Sequence, residues 1–506
     1  MILTNVRDTL LELDNKEKNE RFKVLGDYLF FKGKCRDYEE IKSSLIGKSE
    51  EEKEMLLGQS WLSDSAVDYT PAQEVRNKVK PYLKKRARFM FGCEPTISIK
   101  VDNLKQDREK GERLRKFLED ILDSKFWNLT KKAYLDCSIK KRVLLRCEYK
   151  KGSPIKFKYE SIENFSYKMQ DDEIIEVKFF EEDKQNVLKE DDKEKIYYIH
   201  QYIYQDIVDK DTKETIGKTV IYHKKTYKGD KLDEPMEIET IDTLTDKIPC
   251  WLIKNSGELN SEFGESDITD IRDAQNAYNR KVSDYNDALG FGMFGSVTAT
   301  DCDSEDVDNW VVAPGSVLAA KTVADREGVS AKIGIIEHNI SCADAVEKYL
   351  DRAEKDMKET LDIPDIDDLS NIPSAKAMKY LYNDLIIACE DKWNDWTPVF
   401  LEVVDLIMSL GKTCYPQFDN DWTTMAYTLE FKHNYPLPED EGDKKDTAIK
   451  EVDAKVRSRQ SYIRKYSDEE DAEEEFNQII EENKRIAESE DTFNSSLNTN
   501  LNNIDE

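Results

Sequence analysis

Two stretches of this chain repeat apolar residues at helical spacing, and an insert with a different pattern separates them. From Asp267 to about Leu289, the residues Ile268, Ile271, Ala274, Tyr278, Val282, Tyr285 and Leu289 recur at steps of three and four and share one helical stripe. Ser266 suits the N-cap, Asp267 and Asp270 favour the positive end of the helix dipole, and Gly290 suits the stop. Asp270, Asp273, Asn276, Asn279, Arg280, Asp284 and Asp287 form its polar side. A second stripe follows Ser341: Val346, Leu350, Ala353, Met357 and Leu361. Asp344–Lys348, Asp351–Lys355 and Glu354–Lys358 are acid-before-base pairs, each worth a few tenths of a kcal/mol on an exposed helix. The pattern also fits two surface helices of an ordinary α/β domain, so periodicity alone leaves both readings open.

The insert reads as β. Ser296–Ala299, Trp310–Ala313, Ser316–Ala320 and Ala331–Glu337 are short β-branched or apolar runs, and Pro314 and Gly315 suit the centre of a type II turn. Upstream, residues 1–60 look helical and charged, with an aromatic cluster from Tyr28 to Phe31. Pro71–Phe91 predicts a helix holding the basic run Lys84-Lys85-Arg86-Ala87-Arg88, which reads first as a solvated face. A strand over Thr96–Val101 and a helix over Asp107–Leu122 come next. Val143–Tyr149, Ile155–Tyr159, Ile174–Phe180, Ile196–Tyr204 and Thr219–Tyr222 then alternate or run apolar as strands. Pro364 and Pro373 bracket an acidic loop, Asp362–Pro373. Ser374 opens a long helix that Pro398 should kink or split. Thr423–Lys432 reads as a strand, and Lys444–Arg457 and Asp468–Ala487 as acidic helices. The tail from Glu488 has little to bury and predicts disorder.

Candidate chemistry is thin. Gly290-Phe291-Gly292-Met293-Phe294-Gly295 matches G-x-G-x-x-G, but it follows a helix and leads into a strand, the reverse of a dinucleotide site. Asp301–Asp306 resembles the start of a calcium loop, yet Asp306 stands where Gly is needed and Val312 where a bidentate Glu is needed. Gly411-Lys412-Thr413 resembles the end of a P-loop, with Leu406 in place of its first Gly and a helix pattern before it. Nine scattered cysteines form no C-x-x-C pair and suit a reducing cytoplasm. No catalytic residue, metal site or cofactor is expected.

Composition sharpens this. There are 106 acidic against 76 basic residues, a net charge of −30, and 36% charged residues. Mean hydropathy is −0.73, and the most apolar run, Val399–Leu410, is broken by Glu402 and Asp405, so no membrane span is expected. Met1-Ile2-Leu3-Thr4 begins no secretory signal. A net acidic chain argues against tight nucleic-acid binding, because binding proteins recruit phosphates with Lys and Arg.

The order of elements resembles the portal proteins of long-tailed bacteriophages. Tyr28–Lys34 is similar to their aromatic-Gly-Lys stretch, and Phe89-Met90-Phe91-Gly92-Cys93-Glu94-Pro95 to "FxFGxxP". Pro249, Lys254-Asn255, Ser266-Asp267, Asp273-Ala274-Gln275-Asn276 and Ser283-Asp284-Tyr285-Asn286 follow the "P…KN…SD…DAYN…SD..N" series. Ser374-Ala375-Lys376-Ala377-Met378-Lys379 is similar to "SGxALK", with Ala375 for the usual Gly, and Phe431–Pro436 to "F.RN.P".

The resemblance implies an α+β portal fold, mainly helical, with a β-rich wing and a small β-containing clip, assembled as a ring of about twelve copies. Residues 1–265 would be the wing (β-rich over 142–253), 266–290 and 341–361 the stem helices, and 291–340 the clip. Residues 362–373 would form the tunnel loop, 374–411 a long kinked helix, 412–487 the crown and 488–506 a disordered tail. Asp365, Asp367, Asp368, Ser370, Asn371, Ser374 and Lys376 would line the DNA channel. Trp310, Pro314, Gly315 and Ser316 would meet the motor or adaptor, and Ile271, Tyr278, Val282, Val346, Leu350 and Met357 would pack the ring. Such a protein is no enzyme and needs no cofactor. It is made in the bacterial cytoplasm and sits at the capsid's portal vertex in the virion. Its partners would be copies of itself, passing double-stranded DNA, the large terminase subunit, a head-completion or tail adaptor, and the major capsid and scaffold proteins. The alternatives are an acidic scaffold or adaptor that binds only proteins, and a metal-dependent nuclease.

Overall fold

A computed structural model of the chain describes residues 5–33, 72, 74–101, 105–171, 173–189, 191–208, 215–229, 231–243, 245–255, 261–294, 296–308, 310, 318–323, 328, 330–336, 343–365, 375–437, 441–466 and 472–502. The chain divides into two units: Met1–Ile366 with Tyr382–Pro436, and Asp367–Leu381 with Leu437–Glu506.

The larger unit begins with α1 (Asn5–Leu10) and α2 (Asn15–Lys32). Asp14 caps α2 by accepting the Glu17 N–H, and Gly33 ends it at φ 72°. The next helix, α3 (Val79–Phe91), is shorter than the Pro71–Phe91 pattern suggested. Asn77 Oδ1 takes the Lys80 N–H at 3.1 Å, and Pro81 falls in the first turn, where its missing donor costs nothing. β1 (Thr96–Val101) and α4 (Lys105–Ile121) agree with expectation. α5 (Ser124–Lys140) does not appear in the pattern, because apolar and polar residues are buried together along it, from Phe126 and Trp127 to Ser138, Ile139 and Lys140.

Two antiparallel sheets follow. β2 (Arg142–Lys150) lies between β3 (Ser153–Ser161) and β9 (Cys250–Lys254). A five-stranded meander runs through β4 (Phe165–Gln170), β5 (Glu173–Glu182), β6 (Ile196–Val208), β7 (Thr215–Lys228) and β8 (Glu237–Asp242). Leu144, Ile162, Phe165, Val177, Phe179, Tyr202 and Val220 form the core the sheets share. The chain then enters α6 (Arg272–Phe294) through a 3₁₀ turn at Thr269–Ile271. Gly290 does not stop this helix: extending it gains a hydrogen bond per residue, which outweighs about 1 kcal/mol for glycine. The glycine run therefore lies largely inside a helix.

The insert closes as a hairpin of β10 (Ser296–Thr300) and β11 (Lys332–Ile336), with the short α7 (Ser304–Asp308) between them. Residues 318–320 form no strand, and 311–317 lie outside the described residues. α8 (Ala343–Thr360) returns along α6. The chain rejoins this unit with α10 (Asn383–Cys414), which passes unbroken through Pro398; the interruption falls at Tyr382 instead. Gly411, Lys412 and Thr413 are its last turn. β12 (Tyr427–Lys432) then pairs antiparallel with β1, Thr96 opposite Lys432. Trp393, Trp396 and Phe400 share one stripe of α10 and meet Phe91 of α3 and Trp127 of α5, with Phe91–Trp396 centroids 5.3 Å apart.

The smaller unit contains α9 (Ala375–Leu381), α11 (Glu441–Asp453), α12 (Arg459–Tyr466) and α13 (Ala472–Asn502). The last continues helical through most of the tail expected to be disordered, again because extension costs little once a helix exists. Ile449, Val452, Tyr462, Ile463, Tyr466 and Ile479 line an open groove of about 440 Å³ among α11, α12 and α13.

Candidate functional site

The paired helices α6 and α8 are rooted in the larger unit, and their stripes are covered there. Ile271, Tyr278, Val282, Met357, Leu361 and Ile363 are buried with Phe30, Phe31, Val79, Tyr82 and Leu83 of α2 and α3. The expectation that neighbouring copies must cover Ile271, Tyr278, Val282 and Met357 is therefore corrected: one chain closes them off. Leu350 is partly buried against this cluster and Val346 half-buried further out. Coverage then fails. Leu289, Tyr349, Ile333, Ile335 and Ile336, toward and within the insert, are exposed.

One polar side of α6 is not solvated. Ala72 and Glu74–Asn77 run along it outside any helix and lead into Lys78, whose backbone is already helical, and alternate backbone N–H groups donate to side chains one helical turn apart. Ala72 N reaches Asp287 Oδ1 and Oδ2 at 3.0 Å, and Glu74 N reaches Ser283 Oγ at 2.9 Å. Arg76 N reaches Asn279 Oδ1 at 3.1 Å, and Lys78 N reaches Gln275 Oε1 at 2.9 Å. The match is metric: two extended residues rise about 6.6 Å and four helical residues about 6 Å, so the bonds stay in step. Gln275 Nε2 also donates to Arg76 O and Asn279 Oδ1. These captured amides explain why Ala72 and Glu74–Asn77 are not helix.

At the foot of α6 a buried ion cluster joins four segments. Asp267 Oδ1 accepts from Lys392 Nζ of α10 and from Asn255 Nδ2, both at 2.8 Å, and Oδ2 accepts from Arg86 of α3 at 3.0 Å. Lys392 Nζ also reaches Asn255 Oδ1 at 2.5 Å. Burial alone would raise the Asp267 pKa, but the Lys392 and Arg86 charges outweigh it and hold the carboxyl below its ordinary value. Ser266 does not cap α6 directly; its hydroxyl donates to Ile139 O at 2.8 Å, fixing the approach to the helix. Gly264, at φ 75°, lets the loop pass where a Cβ would stand 2.7 Å from Asn255 O. The Lys254-Asn255 and Ser266-Asp267 pairs of the portal-like series thus acquire a physical role.

α8 ends in a Schellman cap. Asp362 takes φ 57°, its N–H bonds Glu359 O at 3.0 Å, and the Ile363 N–H bonds Lys358 O at 2.9 Å. The chain then starts the acidic loop. Asp365 is tied to Lys358 at 2.9 Å, so it anchors the loop's foot and is not a free channel carboxylate. Asp367, Asp368, Ser370, Asn371 and Ser374 lie outside the described residues, and Lys376 is in α9 with its side chain undescribed. Trp310 donates its indole N–H to Ala319 O at 2.8 Å; Pro314, Gly315 and Ser316 lie outside the described residues. Asp303, just before α7, accepts the Glu305 N–H, and Asp306, within α7, accepts the Lys321 N–H. Among the described residues no group of three or more His, Cys, Asp and Glu could hold a metal, and no helix is long and apolar enough to cross a membrane.

Neither the α6 rail nor the Asp267 cluster was singled out from sequence as a site. A signal existed for the rail: Gln275, Asn279, Ser283 and Asp287 keep a strict step of four beside the apolar stripe.

The larger unit is thus an α+β body whose helical pair, α6 and α8, is joined through a β hairpin. The chain belongs to the phage portal proteins of the SPP1 Gp6-like family, whose pattern it matches over residues 15–489. No curated protein matches it. The family is structural, not enzymatic, and its members are components of the capsid vertex.

Proposed function

We propose that copies of this chain close into a ring through which double-stranded DNA is packaged into and ejected from a phage head. Family membership across residues 15–489 carries this reading. The structure supports it with a helical pair sealed at its root and apolar at its outer end, where other copies can bury Leu289, Tyr349, Ile333, Ile335 and Ile336. In this reading α6 and α8 are the stem and the β10–β11 insert is the clip, where the large terminase subunit and then head-completion or tail adaptors dock. The loop after Asp365 narrows the channel, the β-rich body is the wing facing capsid and scaffold proteins, and the smaller unit is the crown. The protein performs no chemistry; a net charge of −30 per copy keeps DNA from sticking.

Particle mass and negative-stain images of the purified chain test this. Closed rings with an opening wide enough for duplex DNA are expected. A well-folded monomer at high concentration would refute the reading, and divalent-metal-dependent DNA cleavage would favour a nuclease. Replacing Asp367 and Asp368 with Lys should leave rings intact and impair packaging, since added cations grip the phosphate backbone in a salt-dependent way.

A further inference from the structure

α3 meets the larger unit's chain both where it leaves, at Asp365 before the loop proposed to narrow the channel, and where it returns, at Tyr382. Lys85 sits at the first of these places, where burial lowers its pKa, the Lys358 charge adds to that effect, and Asp365 opposes it. Phe89, one turn on, stacks on Tyr382, just after α9, with ring centroids 5.4 Å apart and planes 11° from parallel. Beside this seam Lys80, Lys84 and Arg88 form a row at steps of four, with their Cα atoms rising about 6 Å per step. Lys84 and Arg88 are exposed and Lys80 is half-exposed.

None of the three is ion-paired to a carboxylate among the described residues, and α3 itself contains no Asp or Glu. The contrast with its surroundings is sharp. Lys78, Arg86, Lys358 and Lys392 each hold a carboxylate partner. Like charges four residues apart on a helix repel, so the row lacks an anionic partner that the described part of the chain does not supply.

We infer that Lys80, Lys84 and Arg88 form a contact surface for the phosphate backbone of duplex DNA at the root of the channel loop. The inference rests on the channel reading. It gives the acidic conduit one weakly cationic level, where the duplex is centred without being captured.

The test compares the wild-type chain with the Lys80→Gln/Lys84→Gln/Arg88→Gln variant. Sedimentation reads assembly, and fluorescence anisotropy of a short labelled duplex between 50 and 200 mM salt reads binding. The expected result is unchanged ring mass, with a salt slope of log K shallower by about 0.9 per phosphate contact removed, or about 3.5-fold in affinity across that range. The charge-keeping Lys80→Arg/Lys84→Arg variant should bind as the wild type does. Equal binding by wild type and triple variant, or no binding by the wild type, overturns the inference. Loss of rings in the triple variant also overturns it, because the row would then face a second copy. Anisotropy reads the row in any assembly state, so a chain that binds through these cations but forms no rings would refute only the portal reading.

Discussion

At the scale of single residues, Asp267 answers two buried cations with one carboxylate. Asp267→Asn keeps the shape and leaves Lys392 and Arg86 without a counter-charge. Removing one member of such a buried set costs about 3–5 kcal/mol, which urea unfolding followed by tryptophan fluorescence will read. Because the native pKa is depressed, this contribution is complete above the ordinary value of 3.8 and disappears as pH falls through the lower native value. The gap between wild type and variant should thus be constant from neutral pH down to about 5 and close only in strong acid. His433 gives the opposite exercise. Its Nε2 donates to Met90 O at 2.6 Å, its ring stacks on Trp393 with centroids 4.6 Å apart, and Nδ1 lies 3.5 Å from Glu390. Burial lowers its pKa below 6.5, against the pull of the Met90 carbonyl and Glu390, so the native ring stays neutral while the unfolded chain takes up a proton. Stability is full above 6.5 and declines as pH falls toward the native value. His200 and His223 are shifted the same way. His433→Gln should remove one part of the stability lost between pH 7 and 5, measured as a flatter dependence of the urea midpoint.

At the scale of elements, the rail on α6 decides whether Ala72 and Glu74–Lys78 stay docked. Asn279→Ala removes the acceptor of the Arg76 N–H and a partner of Gln275, leaving an unpaired amide at a cost of about 1–3 kcal/mol. Trypsin cleavage after Arg76 and Lys78 should then quicken while cleavage elsewhere keeps its rate; an unchanged rate at these two sites would show the strap held by other means. The rail also marks where sequence reading reached its limit. Apolar periodicity placed both paired helices, the five strand runs between Arg142 and Tyr222, and the β1 and β12 segments, because each buries one face against a partner. It missed α5, which is buried on several sides and so has no single stripe. It missed β4, β8 and β9, and it extended α3 back to Pro71, since nothing local tells that α6 side chains claim the N–H groups of Ala72, Glu74, Arg76 and Lys78. The partners of Asp267 stand far off in sequence, at positions 86, 255 and 392, so the carboxylate was read as a helix-dipole residue.

At the scale of the whole molecule, the paired helices separate two kinds of apolar residue that share one sequence pattern. Met357 is fully buried at the root, whereas Ile335 is 67% exposed on β11. If folding of one chain uses the first and closure of the ring uses the second, substitutions at the two positions must part company. Met357→Ala leaves a cavity in the cluster with Tyr82, Leu83 and Val282, and should cost the chain about 2–5 kcal/mol whether or not it is assembled. Ile335→Asp puts a charge on an exposed strand, where surface substitutions usually change folding stability by no more than about 0.5 kcal/mol. Within a ring, the same aspartate would be buried between copies without a counter-charge, a penalty repeated at every interface around the closed symmetry. The urea midpoint of the dissociated chain should therefore fall for Met357→Ala and hold for Ile335→Asp. Particle mass at fixed concentration should show rings lost for Ile335→Asp. Intact rings in that variant would mean that the β11 face stays open in the assembly and that the wing, not the clip, holds the copies together.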